Sequence, residues 1–194
     1  MAQRQRPIRL VVLVGSTRRG RFAPTVADWV VDRARAHGGV EVDVVDLARA
    51  ALPETLGDEH EPTPPAVAAL APRLAAADAF VVVTPEYNHS FPAALKTAVD
   101  WFFDEWAAKP VGFVSYGGTG GGLRAVEALR LVFAELHATT VRDVVSFHFQ
   151  DWPFQFDPAD AGASRAMTGL LDRLGWWAEA LRSHRDRSPY ALSA

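Results

Sequence analysis

The sequence predicts a three-layer α/β fold in which a five-stranded parallel sheet carries helices on both faces. Apolar, β-branched runs alternate along the chain with segments of helical periodicity. The runs are densely apolar, which is typical of strands buried on both faces. Because strands that alternate with helices form parallel sheets, these observations favour one sheet that is covered on both sides.

Each element is predicted from its own segment. The strands are predicted at Ile8–Val14, Val40–Leu47, Asp78–Thr84, Pro110–Tyr116 and Val141–Phe149. The helices are predicted around Val26–Ala34, Ala66–Ala76, Pro92–Phe103, Leu123–Leu136 and Met167–Leu181. Residues 48–64 contain prolines and an acidic group and are interpreted as an irregular loop. The strand order 2-1-3-4-5 is predicted because it brings the loops after strands one, three and four together.

Length and composition predict a single domain over residues 1–194, with a loose polar tail over residues 184–194. Hydrophobic residues make up 49% of the chain and charged residues 22%, which allows a sizeable core. The net charge of −3 gives no electrostatic case for nucleic acid. No apolar run reaches the roughly 18 residues that a membrane span requires. The absence of cysteine excludes disulfides and thiol catalysis, and it fits a cytoplasmic protein.

The segment Gly15–Arg21 joins the first strand to the first helix and combines glycine, hydroxyl and arginine residues. The N–H groups at a helix N-terminus bind anions, and guanidinium groups suit phosphate. The segment is neither a Walker A sequence nor GxGxxG, so a phosphomonoester fits better than ATP or a dinucleotide pyrophosphate. The alternative interpretation is a basic surface turn.

The segment Thr84–Trp101 begins where the third strand ends and contains Pro85, Glu86, Tyr87 and Asn88. Prolines stiffen a loop, which can then hold backbone N–H groups against the edge of a polar heterocycle. Tyr87 would supply an aromatic wall. An acid–base pair of Glu86 and His89 is the less favoured alternative.

The segment Ser115–Gly122 follows the fourth strand and contains five glycines. Glycine allows close backbone approach to a ligand and positive φ. A flexible connector is the alternative interpretation. Together, three loops of this kind at one edge of a sheet indicate a flat, phosphorylated cofactor.

Other kinds of site have little support in the sequence. The six histidines are scattered, and no serine lies in a GxSxG sequence. The acidic residues 58–61 favour a solvated loop over a metal site. Trp101, Phe102, Phe103 and Trp106 form a candidate subunit contact, because aromatic residues are enriched at interface cores. Residues 152–156 form a second candidate contact, or else pack a loop.

The three loop segments together resemble the NADPH-dependent FMN reductase family, whose fold is flavodoxin-like. GSTRRGR, PEYNHSFPAALKTAVDW and KPVGFVSYGGTGGGLRAVEALR look like the three motifs of that family, in the same order. The resemblance implies FMN as cofactor and NADPH or NADH as co-substrate. It also implies a homodimer or homotetramer with the flavin near a subunit boundary. Arg19, Phe22, Ala23 and Thr97 depart from the residues usual in the family.

The resemblance also implies which residues bind FMN. Those that would hold the phosphate are Ser16 and Arg18, with the amides near Thr25 and Val26. Those that would line the isoalloxazine edge are Pro85, Glu86, Tyr87 and Asn88. Those that would contact the pyrimidine side of the ring or the ribityl chain are Ser115, Gly117 and Gly118.

The function that follows is an FMN-dependent NAD(P)H oxidoreductase in which the cofactor, and no side chain, carries the chemistry. Hydride would pass from the nicotinamide to the flavin, and electrons would then pass to a small acceptor such as a quinone, an azo compound, a metal oxyanion or free flavin. Arg19 and Arg21 could favour NADPH by pairing with its 2′-phosphate. Two alternatives remain open, an FMN-binding electron carrier without a nicotinamide site and a non-enzymatic module of the same fold.

Overall fold

The computed structural model describes residues 6–58, 60–149 and 156–191. In these residues a parallel sheet has the order β2-β1-β3-β4-β5, which confirms the predicted order. The strands are β1 (Ile8–Val14), β2 (Val40–Asp46), β3 (Ala79–Pro85), β4 (Pro110–Gly117) and β5 (Thr139–His148). The helices are α1 (Ala23–His37), α2 (Leu47–Ala50), α3 (Pro65–Ala75), α4 (Ala93–Trp101), α5 (Leu123–Glu135) and α6 (Ala161–Arg185).

The two faces of the sheet carry separate apolar cores, which makes the fold a three-layer sandwich. Helices α1 and α6 pack on the face that contains Val12 and Val81. Helices α3, α4 and α5 pack on the face that contains Val11 and Val82. Successive side chains of a strand point to opposite faces, so a fully apolar strand supplies both cores. Every residue of β3 is buried, as the dense apolar run predicted.

Prolines and a glycine set the limits of the helices that flank the sheet. Pro24 and Pro65 lie in the first turns of α1 and α3, where a missing N–H costs little. Helix α1 ends at Gly38, whose φ of 81° is accessible mainly to glycine. Helix α6 begins at Asp160, whose carboxylate accepts a hydrogen bond from the Ala163 amide at 2.6 Å.

The short helix α2 begins at Leu47, the last residue of the predicted second strand, and extends into the segment 48–64 that was predicted to be an irregular loop. It begins directly after β2, where the Asp46 carboxylate accepts a hydrogen bond from the Ala48 amide at 3.1 Å. A helix of four residues is too short to show hydrophobic periodicity. The aspartate before Leu47 is the one sequence signal that points to it.

The predicted loose tail, residues 184–194, begins inside helix α6, and the looseness of the rest stays a prediction. Helix α6 continues to Arg185. Beyond it, the Tyr190 hydroxyl lies 2.7 Å from Nδ1 of His137. The polar composition of the segment does not reveal this contact, because a single aromatic side chain provides it.

The aromatic residues after α4 are divided between the core and the surface. Phe102 and Trp106 are fully buried in the core beside α5, so they are not available for the predicted subunit contact. Trp101 donates its indole N–H to the Pro53 carbonyl at 2.9 Å. Phe103 is half exposed. Of the second candidate contact, residues 152–155 lie outside the described residues.

The described residues contain neither a metal-binding cluster nor a membrane-spanning helix. No group of three or more His, Cys, Asp or Glu side chains there could hold a metal ion. None of the helices described is both long enough and apolar enough to cross a membrane.

Two leucines that differ in burial should differ strongly in how much stability the protein loses when each is replaced by alanine. Leu170 of α6 is fully buried beside Gly112, whereas Leu131 of α5 is 77% exposed. We expect Leu170→Ala to lower the free energy of unfolding by about 3 kcal/mol, because it removes buried methyl groups and leaves a cavity. Leu131→Ala is the control and should change it by less than about 0.5 kcal/mol. Urea unfolding followed by circular dichroism measures both, and equal losses would contradict the packing described.

Candidate functional site

The carboxyl ends of β1, β3 and β4 lie side by side and bring three loops together. Val14 pairs with Val83, and Thr84 pairs with Ser115, so the loops that follow these strands leave the sheet at adjacent positions. They enclose a cleft of about 480 Å³. Its lining residues are Ser16, Arg18–Phe22, Pro85–Tyr87, Tyr116–Gly118 and Phe149. This volume lies within the range of small-molecule sites.

Ser16 anchors the first loop to the second. Its side chain is fully buried, and its hydroxyl lies 2.7 Å from the Tyr87 hydroxyl. The preceding amide, from Gly15, donates to the Val83 carbonyl at 2.9 Å. The beginning of the first loop is therefore held by both the backbone of β3 and a side chain of the second loop.

Arg21 makes an ion pair at the other end of the first loop. Its Nη1 and Nη2 donate to the two carboxylate oxygens of Asp46 at 2.7 and 2.6 Å. The pKa of Arg21 is raised, chiefly by this hydrogen bond. The pKa of Asp46 is lowered, because hydrogen bonds from Arg21 and Ala48 and nearby positive charge outweigh the opposing effect of burial. The stability that Asp46 contributes is therefore present at neutral pH and is lost as the pH falls through its lowered pKa.

The Arg21 pair corrects the prediction that this residue could select NADPH. Its charge is compensated by Asp46, so it is not a free cation for a 2′-phosphate. Arg18 and Arg19 are different, because neither makes an ion pair with another described residue. Arg18 lies over the Tyr87 ring at 5.2 Å, and both arginines line the cleft.

The second loop turns back on itself directly after Tyr87. Tyr87 and Ser90 exchange two backbone hydrogen bonds, of 2.8 and 3.0 Å. Asn88 and His89 between them have φ values of 49° and 72°, as in a type I′ turn. Asparagine tolerates this conformation better than most residues. Asn88 is exposed at the tip of the turn and does not line the cleft.

Glu86 ties the second loop to the third. Its carboxylate accepts from Nη1 of Arg124 at 2.6 Å and from the Arg124 amide at 3.3 Å. Its own amide donates to the Tyr116 carbonyl at 3.2 Å. The side chain is 11% exposed, which favours a fixed position. With its carboxylate paired in this way, Glu86 is a structural link, and the structure gives no support for an acid–base pair with His89.

The third loop is shaped by glycine and by two serine hydroxyls. The hydroxyls of Ser115 and Ser146 both donate to the Gly121 carbonyl, each at 2.8 Å. Gly121 has a φ of 54°, and a Cβ at this position would lie 2.3 Å from the Ser146 hydroxyl. The loop therefore requires glycine at this position for both conformation and space.

Three aromatic side chains form an apolar wall of the cleft. Phe22 packs edge-on against Tyr116 and Phe149, with ring centroids 6.1 and 5.1 Å apart. The Tyr116 hydroxyl is buried without a hydrogen-bonding partner among the described residues. The nearby Ser16 hydroxyl is already paired with Tyr87. Burial raises the pKa of Tyr116 well above its usual range.

Comparisons with known proteins identify the family to which this site belongs. The family described as NADPH-dependent FMN reductase matches residues 8–151, which include all three loops. The chain belongs to this family. The match confirms the resemblance that the loop motifs predicted.

Individual relatives agree with the family match. An NAD(P)H-dependent FMN reductase of Schizosaccharomyces pombe is 38% identical over 122 residues, which are 59% of this chain and 60% of that protein. An NADPH:quinone oxidoreductase of Arabidopsis thaliana is 32% identical over 77% of this chain and 79% of that protein. The structure of the flavoenzyme FerB from Paracoccus denitrificans has a TM-score of 0.73 over 89% of this chain and 98% of that one. At 22% identity, the likeness to FerB shows the fold alone.

The structure brings most of the predicted site residues of this family member into one cleft. Those that line it are Ser16, Arg18, Pro85, Glu86, Tyr87, Gly117 and Gly118. Those that do not line it are Thr25, Val26, Asn88 and Ser115. The Thr25 and Val26 amides bond to the Phe22 carbonyl, at 3.1 and 3.5 Å, inside the first turn of α1. Ser115 is fully buried and supports the third loop from below.

Sequence reasoning did not assign Tyr116, Phe149 and Phe22 to the site. Tyr116 and Phe149 lie at the ends of strands. The alternation of side chains between the two faces of the sheet does not show which of them reach a ligand cleft. Phe22 lies in the first loop, but only the sheet topology brings it against residues more than 90 positions away in the sequence. No short motif marks such a contact.

The cleft has the chemistry that FMN, the ligand in the family's name, requires. Arg18 and Arg19 offer two uncompensated guanidinium groups, which suit the charge of about −1.5 to −2 on a phosphomonoester at pH 7. Phe22, Tyr116 and Phe149 offer an aromatic wall. The residues present therefore fit a flat, phosphorylated ligand.

The buried Tyr116 hydroxyl provides a test of the packing behind the aromatic wall. We expect Tyr116→Phe to stabilise the ligand-free protein by about 1 kcal/mol, because it removes a buried polar group without a partner. The same change should alter the dissociation constant for FMN by less than about twofold, because the protein encloses the hydroxyl and the ring that lines the cleft is retained. Thermal unfolding and fluorescence titration with FMN measure the two effects. Tyr87→Phe is the control and should destabilise the protein, because Ser16 would lose its partner. A Tyr116→Phe protein that is less stable than the wild type would contradict the absence of a partner for this hydroxyl.

Proposed function

We propose that this protein is an FMN-dependent NAD(P)H oxidoreductase that reduces a small acceptor. The observation that carries the proposal is the cleft of a family member that is lined both by two uncompensated arginines and by an aromatic wall. Arginines of this kind suit a phosphate, and the aromatic wall suits a flat ring. When bound, FMN supplies the hydride-accepting chemistry, so the protein needs no side chain that reacts.

Each of the three loops would bind a different part of FMN. Ser16, Arg18 and Arg19 would hold the phosphate. Pro85, Glu86 and Tyr87 would position the edge of the ring through a loop that Arg124 and Ser16 keep in place. Gly117 and Gly118 would let the backbone approach the pyrimidine side, because they carry no Cβ. Thr25, Val26, Asn88 and Ser115 have no direct contact in this proposal.

The acceptor is proposed to be a quinone or a comparable small molecule. The relative from Arabidopsis thaliana is named as an NADPH:quinone oxidoreductase, and the quinone class rests on that likeness. Azo compounds, metal oxyanions and free flavin are further acceptors that a reduced flavin can serve. We also place the protein in the cytoplasm, on the ground that its sequence contains no cysteine.

The first prediction from this function concerns reduction of the bound flavin. FMN-loaded protein, freed of excess cofactor and kept under nitrogen, should lose its absorbance near 450 nm, about the usual flavin maximum, on addition of one equivalent of NADPH or NADH. Subsequent addition of a quinone should restore it. The control is free FMN with the same reductant. Bound flavin that neither nucleotide bleaches would favour an electron carrier, and absence of FMN binding would refute the proposal.

We further propose that the protein is a homodimer or homotetramer. Phe103 and Leu131 are large apolar side chains that are 50% and 77% exposed, and Trp176 is 64% exposed. Phenylalanine and tryptophan side chains are enriched at the cores of subunit interfaces.

Light scattering coupled to gel filtration tests the oligomeric state. The protein should elute with twice or four times the 21.1 kDa mass of the chain. The mass should not change on dilution over about a hundredfold range above the dissociation constant. A monomer at every concentration would contradict the proposed assembly, and it would leave the flavin reduction unaffected.

A further inference from the structure

Arg21 lies in the first loop, but its side chain connects that loop to the end of β2. Two of its N–H groups bind the Asp46 carboxylate in a bidentate arrangement at 2.6 and 2.7 Å. Both side chains are about 15% exposed. Bidentate arginine–carboxylate pairs combine two charge-assisted hydrogen bonds with a fixed orientation. This pair is therefore stronger and more specific than an exposed surface ion pair.

The same guanidinium also holds the backbone of the loop. Nη1 of Arg21 donates to the Ser16 carbonyl at 2.7 Å. Ser16 begins the segment that presents Arg18 and Arg19 to the cleft, and its hydroxyl is bound to Tyr87. The side chain of Arg21, at the end of the loop, therefore binds the backbone of Ser16, where the loop begins. This contact fixes the peptide group between Ser16 and Thr17, which lies one residue before Arg18.

Asp46 is well suited to act as the fixed end of this connection. It is the last residue of β2 and pairs in register with Val14, the last residue of β1. Its carboxylate also accepts from the Ala48 amide at 3.1 Å and so begins helix α2. A carboxylate held by the sheet and by a helix N-terminus has little freedom to move with the loop.

We propose that Arg21 and Asp46 are positioning residues that hold the first loop in the conformation that binds the FMN phosphate. They act through Ser16 and the loop backbone and do not contact the reacting atoms. The inference rests on the proposed function, since it assumes that FMN occupies the cleft. Without the contacts of Arg21 and Asp46, the first loop would become ordered only when FMN binds. The conformational entropy lost in that step would weaken the affinity for FMN.

The chain contains a matched control on the same strand. Asp43 of β2 binds Arg73 of α3 in a second bidentate pair, at 2.6 and 2.9 Å. Arg73 also donates to a backbone carbonyl, that of Val44, at 2.9 Å. Both side chains are about 45% exposed, and neither lines the cofactor cleft. Loss of this pair tests the effect of a similar ion pair that does not touch the loop.

The experiment compares Asp46→Asn with Asp43→Asn in the full-length protein. FMN is titrated into each ligand-free protein, and quenching of flavin fluorescence gives the dissociation constant. Thermal unfolding of each variant measures the general loss of stability. We expect the dissociation constant to rise about tenfold or more in Asp46→Asn and to change by less than about twofold in Asp43→Asn. With FMN at saturation, kcat and the KM for NADPH should return to wild-type values in both.

A second variant keeps the test valid if Asp46→Asn fails to fold. Arg21→Lys retains the charge and loses the bidentate geometry, so it should fold and still bind FMN several-fold more weakly. Equal FMN affinities in the Asp46, Arg21 and Asp43 variants would overturn the inference. A kcat that stays low at saturating FMN would also overturn it, because it would indicate a direct role. If the wild-type protein itself failed to bind FMN, both the proposed function and the positioning role of Arg21 and Asp46 would be refuted.

Discussion

Parallel pairing of β1 with β3 and of β3 with β4 is the constraint on which the site depends. These strands end at neighbouring positions, so the loops that follow them must leave the sheet together. The pairing requires strands that are buried on both faces, which accounts for the unbroken apolar runs. A slip of one residue between β3 and β4 would turn the side chains of one strand to the opposite face. It would also separate Glu86 from Arg124, so core packing and loop geometry are specified by the same register.

Polar contacts between loops then convert this proximity into a defined cleft. Ser16 with Tyr87 joins the first loop to the second, and Glu86 with Arg124 joins the second to the third. Ser16 is fully buried and the Glu86 side chain is only 11% exposed, so leaving either without its partner would be costly. The loops are consequently held in position without a ligand. A site that is preorganised in this way binds its cofactor with a smaller loss of conformational entropy.

The sequence was sufficient to predict the strand order and the loops that form the cleft, because dense apolar runs and glycine- or proline-rich loops are local signals. The sequence was not sufficient to predict side-chain contacts that depend on how neighbouring strands are aligned. Arg21 and Asp46 are 25 positions apart, and only the alignment of Val14 with Asp46 brings their side chains together. The amides near Thr25 are a different case. They were expected to bind phosphate as free helix N–H groups, but the first turn of α1 uses them internally.

The distribution of charge in the cleft also bears on the choice of nucleotide. Arg21 is neutralised by Asp46, and Arg124 by Glu86, so among the residues described as lining the cleft only Arg18 and Arg19 carry uncompensated positive charge. One phosphomonoester matches both. A bound FMN phosphate would therefore leave no free cation in the cleft for the 2′-phosphate that distinguishes NADPH from NADH. The charges that line the cleft therefore give no ground for a preference between NADPH and NADH.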